Sequence, residues 1–255
     1  MGSAYFLPWY APALVTPLTS STAAINYRHG LGKREGAAPA RQPGFPSRTA
    51  MPNVPHSLGV AYFSMEIALD PGLPTYSGGL GILGGDTLRS AADMGLPMCG
   101  VSLLHRKGYF DQHLDSIGNQ TETSSSWRPE EHLQEMPGRA AIEIEGERVL
   151  IRAWQYLVRG CNGQTIPVFL LDTALPENSA FAQSLTDELY GGDEHYRLCQ
   201  EVILGLGGIA VLRQLGHHRV LTYHMNEGHA ALLALALLQE HLGGRSCNEA
   251  TEADI

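Results

Sequence analysis

Residues 60–104 set the tightest constraint on the fold. Val60 to Met65 is a short, mostly apolar run of the kind that forms a buried strand. Pro71, Gly72 and Pro74 force a loop after it. Ser77-Gly78-Gly79-Leu80-Gly81 then leads into Ile82 to Met94, where Leu88, Ala91, Ala92 and Met94 recur near helical spacing, and Gly95 is a natural left-handed stop. Met98 to Leu104 is a second apolar strand. Strand, glycine loop, helix and strand make a βαβ unit, which commits the chain to a parallel sheet and an α/β, Rossmann-like class.

The next segment changes period. Ala141 to Ile144, Val149 to Val158 and Thr165 to Leu171 are β-rich and are separated by Glu145-Gly146-Glu147 and by Asn162-Gly163, a strong hairpin signal. They predict an antiparallel insertion on the parallel sheet. Asp193 to Leu215 reads as a long helix, Arg219 to Tyr223 as a strand, and Glu227 to Leu242 as a helix with Leu232, Leu235 and Leu238 inward. Within the long helix, Gly205, Gly207 and Gly208 read as close helix packing. There are no internal repeats.

Composition narrows the partners. With 255 residues, 44% of them hydrophobic, the chain can build a sizeable core. A net charge of −9 makes it a poor general partner for nucleic acid or an anionic membrane. Any phosphate it holds needs a local device. The longest apolar stretch, Ala230 to Leu238, is far shorter than a bilayer span. The four cysteines lie far apart, which predicts free thiols in a reducing, cytoplasmic setting. Residues 1–55 carry Arg28, Lys33, Arg34, Arg41 and Arg48 against Glu35 alone and lack periodicity. They read as a disordered or targeting-like extension, although Pro8, Pro12 and Pro17 would interrupt an amphipathic organelle-targeting helix. Residues 56–242 are the expected domain, and 243–255 a frayed tail.

Four motifs can carry chemistry. Glycines 78, 79 and 81 at a helix start let a ligand approach the backbone, and the helix N-terminus offers unpaired N–H groups suited to phosphate. The spacing is neither GxGxxG nor a Walker loop, and a tight turn with close helix packing fits equally well. Glu66 follows the first strand, where a carboxylate either binds sugar hydroxyls or is simply solvated. His224-Met225-Asn226-Glu227-Gly228-His229 follows the last strand and groups an amide, an acid and an imidazole, with helix capping the alternative for Asn226. Arg106-Lys107-Gly108-Tyr109-Phe110 is a basic, aromatic segment that either meets an anion or sugar or is an ordinary loop. A zinc site from His217, His218, His224 and His229 has no supporting HExxH or cysteine pair.

Together, AYFSMEIAL (61–69), TYSGGLGILGGDTLRSAADMGLPMCGVSLL (75–104), RKGYFDQ (106–112), LLDTALPEN (170–178), LYGGDEHYRLCQE (189–201) and YHMNEGHAAL (223–232) resemble the α-glucan phosphorylase family. The likeness is to the N-terminal part of its short bacterial and archaeal branch. The resemblance implies the N-terminal half of a glycosyltransferase B fold. The implied reaction is phosphorolysis of an α-1,4-glucan with inorganic phosphate to glucose 1-phosphate, with pyridoxal phosphate as cofactor. It implies that Gly78, Gly79 and Leu80 border phosphate and glucose. It places Glu66, Ser77, Asn226, Glu227 and His229 near the acceptor glucan, with Ser77 standing where many relatives carry Asn. No catalytic residue and no metal site is expected in this chain. The resemblance puts the cofactor lysine and most phosphate-binding groups in a second domain, so the chain reads as a truncated phosphorylase that is inactive alone. A separate C-terminal domain or a second copy is the expected protein partner. A glycogen or starch synthase-like transferase is the rival reading, but its Lys-x-Gly-Gly-Leu-Gly pattern is replaced here by Tyr76-Ser77-Gly78-Gly79-Leu80-Gly81. A non-catalytic glucan-binding remnant is the third.

Overall fold

The computed structural model describes residues 58–123, 125–243, 245, 250 and 251. The expectations for residues 1–55, and most of those for 243–255, lie outside this set. Strand β1 (Leu58–Phe63), helix α1 (Gly79–Met94) and strand β2 (Met98–Leu103) form the βαβ unit, with β1 and β2 parallel and Val60 opposite Met98. After β2 comes an exposed hairpin of β3 (Asp111–Leu114) and β4 (Gln120–Thr123), a short helix α2 (Pro129–His132) and β5 (Gln134–Glu135). Strands β6 (Ala140–Ile144), β7 (Glu147–Arg159) and β8 (Thr165–Asp172) follow, then β9 (Val220–Met225). The main sheet runs β5-β7-β8-β2-β1-β9, with β6 also paired to β7. Contacts β8–β2, β2–β1 and β1–β9 are parallel; β5, β6 and β8 all meet β7 antiparallel.

Strand β8 therefore belongs to both halves of the sheet. Its sequence TIPVFLLD is buried from Val168 onward, and β2 is buried at every position, as central strands covered on both faces must be. Successive residues of β1 feed opposite layers. Ala61 and Phe63 face a core closed by Ile203, Leu204, Val211 and Leu233, whereas Tyr62 faces a core closed by Leu88, Ala91 and Ala92 of α1. Helix α1 ends at Gly95, whose φ of +65° is the left-handed stop that the sequence predicts. It begins at Gly79, three residues before the expected start at Ile82.

The long helical stretch has three parts: α4 (Glu194–Val202), a π-helical turn (Ile203–Gly207) and α5 (Gly208–Gln214). A five-residue helix α3 (Ala180–Ser184) precedes it. Asp193 caps α4 by accepting the Tyr196 N–H at 2.9 Å. The three glycines are close-packing positions. A Cβ on Gly205 would lie 2.6 Å from the Leu233 backbone nitrogen, one on Gly207 2.5 Å from Ile151, and one on Gly208 2.6 Å from Phe63. The last helix differs from expectation. The chain enters by a 3-10 turn at Gly228–Ala230, and α6 spans Leu233–Leu242 with Leu233, Ala236 and Leu242 buried. Leu235 is 53% exposed, so the inward face is not the one through Leu232, Leu235 and Leu238. The backbone of Leu232 and Leu233 is pressed against Gly205, and that contact fixes the helix rotation. Among the described residues no helix is long and apolar enough to cross a membrane. Cys99, Cys161 and Cys199 are free thiols.

Asp172 ties the parallel and antiparallel halves together at the end of β8. Its fully buried carboxylate accepts from Arg106 Nη2 at 2.5 Å, Arg152 Nε at 2.7 Å, Trp154 Nε1 at 2.9 Å and the Ala174 N–H at 2.9 Å. Arg106 is thus committed to the fold rather than offered to a ligand. Burial pushes the Asp172 carboxyl up, but the hydrogen bonds and charges of Arg106, Trp154 and Arg152 outweigh it and hold it below its ordinary 3.8. A depressed carboxyl stabilises the fold above the unfolded value and loses that contribution as pH falls toward the folded one. Asp172→Ala leaves two arginines facing each other, and an uncompensated buried charge costs about 3–5 kcal/mol. Urea unfolding at neutral pH should show that loss, and Asp172→Asn should flatten the stability curve below the ordinary carboxylate range.

Candidate functional site

Parallel pairing brings the C-terminal ends of β1 and β9 to the same edge, with Phe63 opposite Met225. The pairing continues one residue further, where the Asn226 N–H donates to Phe63 C=O at 2.8 Å. The Asn226 side chain is buried and donates from Nδ2 to Ser64 Oγ at 3.1 Å, and Ser64 Oγ in turn donates to Glu66 C=O at 2.7 Å. Asn226 therefore joins the two post-strand segments and caps no helix. Glu227 follows at φ +65°, a strained conformation for a residue with a Cβ, and is exposed.

The segment after β1 then zips onto the glycine loop. Ile67 N–H donates to Thr75 C=O, Thr75 Oγ1 to Ile67 C=O, and Ala68 N–H to Gly81 C=O. Between these bonds lies Glu66, 3% exposed. Its Oε2 accepts the N–H of Ser77 at 2.5 Å, the N–H of Gly78 at 3.1 Å and the Ser77 hydroxyl at 3.3 Å. A Cβ on Gly81 would come within 2.9 Å of the same oxygen, so the third glycine makes room for the carboxylate. On the other side the loop is open: a Cβ on Gly78 or Gly79 meets nothing within 4 Å. The N–H groups of Gly79, Leu80 and Gly81 occupy the first turn of a 16-residue helix, beyond the reach of any intrahelical carbonyl.

The second Glu66 oxygen accepts from Tyr190 OH at 3.0 Å. Tyr190 sits at φ +57°, in the loop that precedes α4. Burial raises its pKa, and the adjacent Glu66 charge adds to the rise, so it remains a protonated donor at physiological pH. Its ring lies 5.5 Å from that of His229, whose Nδ1 is 2.8 Å from Glu201 Oε1 on α4. The result is one connected chain from the glycine loop through Glu66, Tyr190 and His229 to Glu201.

Glu66, the Ser77 to Leu80 loop, Asn226, Glu227 and His229 thus gather at one sheet edge. Glu66 and Asn226 are buried in it, His229 and Leu80 half-buried, and Ser77, Gly79 and Glu227 exposed. Tyr190 and Glu201 were not singled out. Both lie in the LYGGDEHYRLCQE segment, which reads from sequence as a turn and helix start with no ligand-facing role, and Tyr190 stands there at positive φ. The histidines diverge: His217 lies against Phe169, His224 stacks on Tyr62, and His229 meets Glu201. No group of three or more His, Cys, Asp or Glu among the described residues is arranged to hold a metal.

Glu66→Gln places an amide donor against donors at one of these contacts. Bonds to a charged group contribute roughly 1.5–3 kcal/mol each, so amide exchange at Ser77 and Gly78 should speed up by about tenfold or more. Tyr190→Phe should do the same more weakly. Hydrogen exchange read by mass spectrometry on the 75–85 segment decides this, with β2 as the unchanged control.

No family model matches the chain. Its sequence is 40% identical over 198 residues to the glycogen phosphorylase of Mycobacterium tuberculosis, covering 71% of this chain and 22% of that protein. It is 38% identical over 179 residues to the maltodextrin phosphorylase of Thermococcus litoralis, covering 68% and 21%. It is 30% identical over 188 residues to the glycogen phosphorylase of Aquifex aeolicus, covering 69% and 26%. The chain spans about a fifth to a quarter of the length of these curated relatives. Across that span it is phosphorylase sequence, and the chain belongs to the α-glucan phosphorylase family.

Proposed function

We propose that this chain supplies one wall of the phosphate and glucan cleft of an α-glucan phosphorylase, within a glycosyltransferase B arrangement completed by further phosphorylase sequence. The observation that carries the reading is the glycine loop: Glu66 takes the Ser77 and Gly78 N–H groups from beneath, while the outer side of the loop at Gly78 and Gly79 faces open space at the helix end. In this reading Gly78, Gly79 and Leu80 border phosphate and glucose. Ser77, Glu227 and His229 offer polar groups to an α-1,4-glucan, and Asn226 holds the segment that presents them. Glu66 acts from below as the group that positions the loop. A cytoplasmic location follows from the same reading.

Electrostatics argues that this wall does not work alone. A helix N-terminus contributes about half a positive charge, and the Glu66 carboxylate beneath it carries a full negative one. Phosphate at this loop therefore needs cations from elsewhere before it can sit beside the oxocarbenium-like sugar of glycosyl transfer. Lys107 does not supply them. Its Nζ lies 2.9 Å from Asp187, whose hydrogen bond and charge raise its pKa. A protonated, ion-paired amine is the wrong state for an imine, so the described residues do not fit an anchor for pyridoxal phosphate. That cofactor belongs to the family reading and to sequence outside this chain.

The test is a chimera in which residues 58–242 replace the matching segment of the Mycobacterium tuberculosis glycogen phosphorylase. It should release glucose 1-phosphate from maltodextrin and phosphate, while the isolated chain should release none. Gly79→Val fills open space and should leave the melting temperature unchanged while cutting turnover about 100-fold, the scale of losing one preorganised donor. A folded chimera that is indifferent to Gly79→Val, or release by the isolated chain, overturns the reading.

A further inference from the structure

Among the described residues, Glu201 is the one side chain that hydrogen-bonds His229, with Oε1 2.8 Å from Nδ1. A carboxylate only accepts, so the proton of that bond is on Nδ1. The neutral ring then carries a lone pair at Nε2, which points away from Glu201. No described residue hydrogen-bonds Nε2, and the His229 side chain is 36% exposed. The fold gives Glu201 little freedom. It is the penultimate residue of α4, just before the π-helical turn. Its neighbour Gln200 is fully buried and donates from Nε2 to Leu185 C=O at 3.0 Å and to Glu188 C=O at 2.8 Å. Those bonds pin the helix to the loop that bears Tyr190. Four residues past Glu201, Gly205 packs against the Leu232 and Leu233 backbone, so the same helical stretch also grips the chain just after His229. His229 itself lies in a three-residue 3-10 turn, Gly228–Ala230. A turn that short sets the backbone but leaves the ring a choice of rotamers. Glu201 at the ring's edge and Tyr190, tilted 45° with its centroid 5.5 Å away, supply the missing constraint.

We propose that Glu201 is a positioning residue: it holds His229 with the proton on Nδ1, so that Nε2 accepts a hydrogen bond from a hydroxyl of the bound glucan. This rests on the reading of His229 as part of the glucan wall, and it adds the direction of the bond. The opposite tautomer would present an N–H and demand an acceptor. A sugar hydroxyl can take either part, so the choice is made by Glu201 and not by the sugar. A hydroxyl that donates to Nε2 also keeps its lone pairs for N–H donors elsewhere in the cleft. Glu201 touches no ligand in this scheme and acts only through the ring it holds.

The test reads the proton directly. Long-range proton–nitrogen NMR spectra of the full chain, with nitrogen-15 in the histidine rings, distinguish a protonated ring nitrogen from a bare one. They are recorded at alkaline pH, where imidazoles are neutral, and His229→Gln assigns the signal among the chain's 11 histidines. His229 should show Nδ1 protonated and Nε2 bare. Glu201→Leu keeps the side chain's bulk, so the variant should retain its circular dichroism. Its His229 should shift to a mixture dominated by the Nε2–H form, which a free imidazole prefers. Glu201→Gln keeps an accepting oxygen and should retain the original form as the major one. In the chimera, Glu201→Leu should raise KM for maltodextrin about tenfold, the scale of one hydrogen bond, and leave KM for phosphate within about twofold. Nε2 protonated in the parent chain overturns the proposal, as does a tautomer indifferent to Glu201→Leu or a KM that rises equally for both substrates. A chimera inactive before any substitution counts against the cleft reading instead, and the tautomer spectra still decide the role of Glu201.

Discussion

The Glu66 carboxylate is the contact on which the site's geometry depends. Three donors from the glycine loop and one from Tyr190 meet on its two oxygens, and it is nearly inaccessible to solvent. A buried carboxylate without such partners would cost several kcal/mol. The partners therefore hold each other: the loop satisfies the charge, and the charge fixes the loop. Removing the glycines would undo this from the other side, because Gly81 leaves room for the carboxylate and Gly79 keeps the outer surface clear. The same arrangement reconciles the two readings of the glycine motif. One side of the loop is tight packing, and the other is a set of open donors.

In the proposed reading, that division lets a chain that is acidic overall take part in phosphate chemistry. The positive end of α1 is more than neutralised from below, so the loop contributes shape and directed N–H groups rather than charge. The basic residues nearby are engaged elsewhere. Arg106 is locked onto Asp172, Lys107 onto Asp187, and Arg197 lies over the Tyr190 ring. In that reading the wall positions a ligand and the neutralising charge comes from a facing surface. A cleft built from two parts divides the work in this way when each part has to fold stably before they meet.

Much of the fold was legible in the sequence because its signals are local. The βαβ order, the Gly95 stop and the Glu145-Gly146 turn depend on neighbours within a few residues. The packing role of Gly205, Gly207 and Gly208 was legible from their position on a helical face. What escaped was set at long range. The rotation of α6 depends on a contact between Gly205 and the Leu232–Leu233 backbone, which no periodicity encodes. Strand β8 is antiparallel on one side and parallel on the other, and its apolar run looks the same in either case. Tyr190 meets Glu66 across 124 residues, so neither names the other in sequence.

The parallel sheet turns those long separations into neighbours. Strands that run the same way deliver their following loops to the same edge, and β1 and β9, 162 residues apart at the Ser64–Asn226 bond, are adjacent strands. Asn226 then fixes the relative height of the two loops, and α4 brings Glu201 to His229 from the third side. Each group comes from a segment held by its own buried core, so the site inherits the rigidity of the sheet.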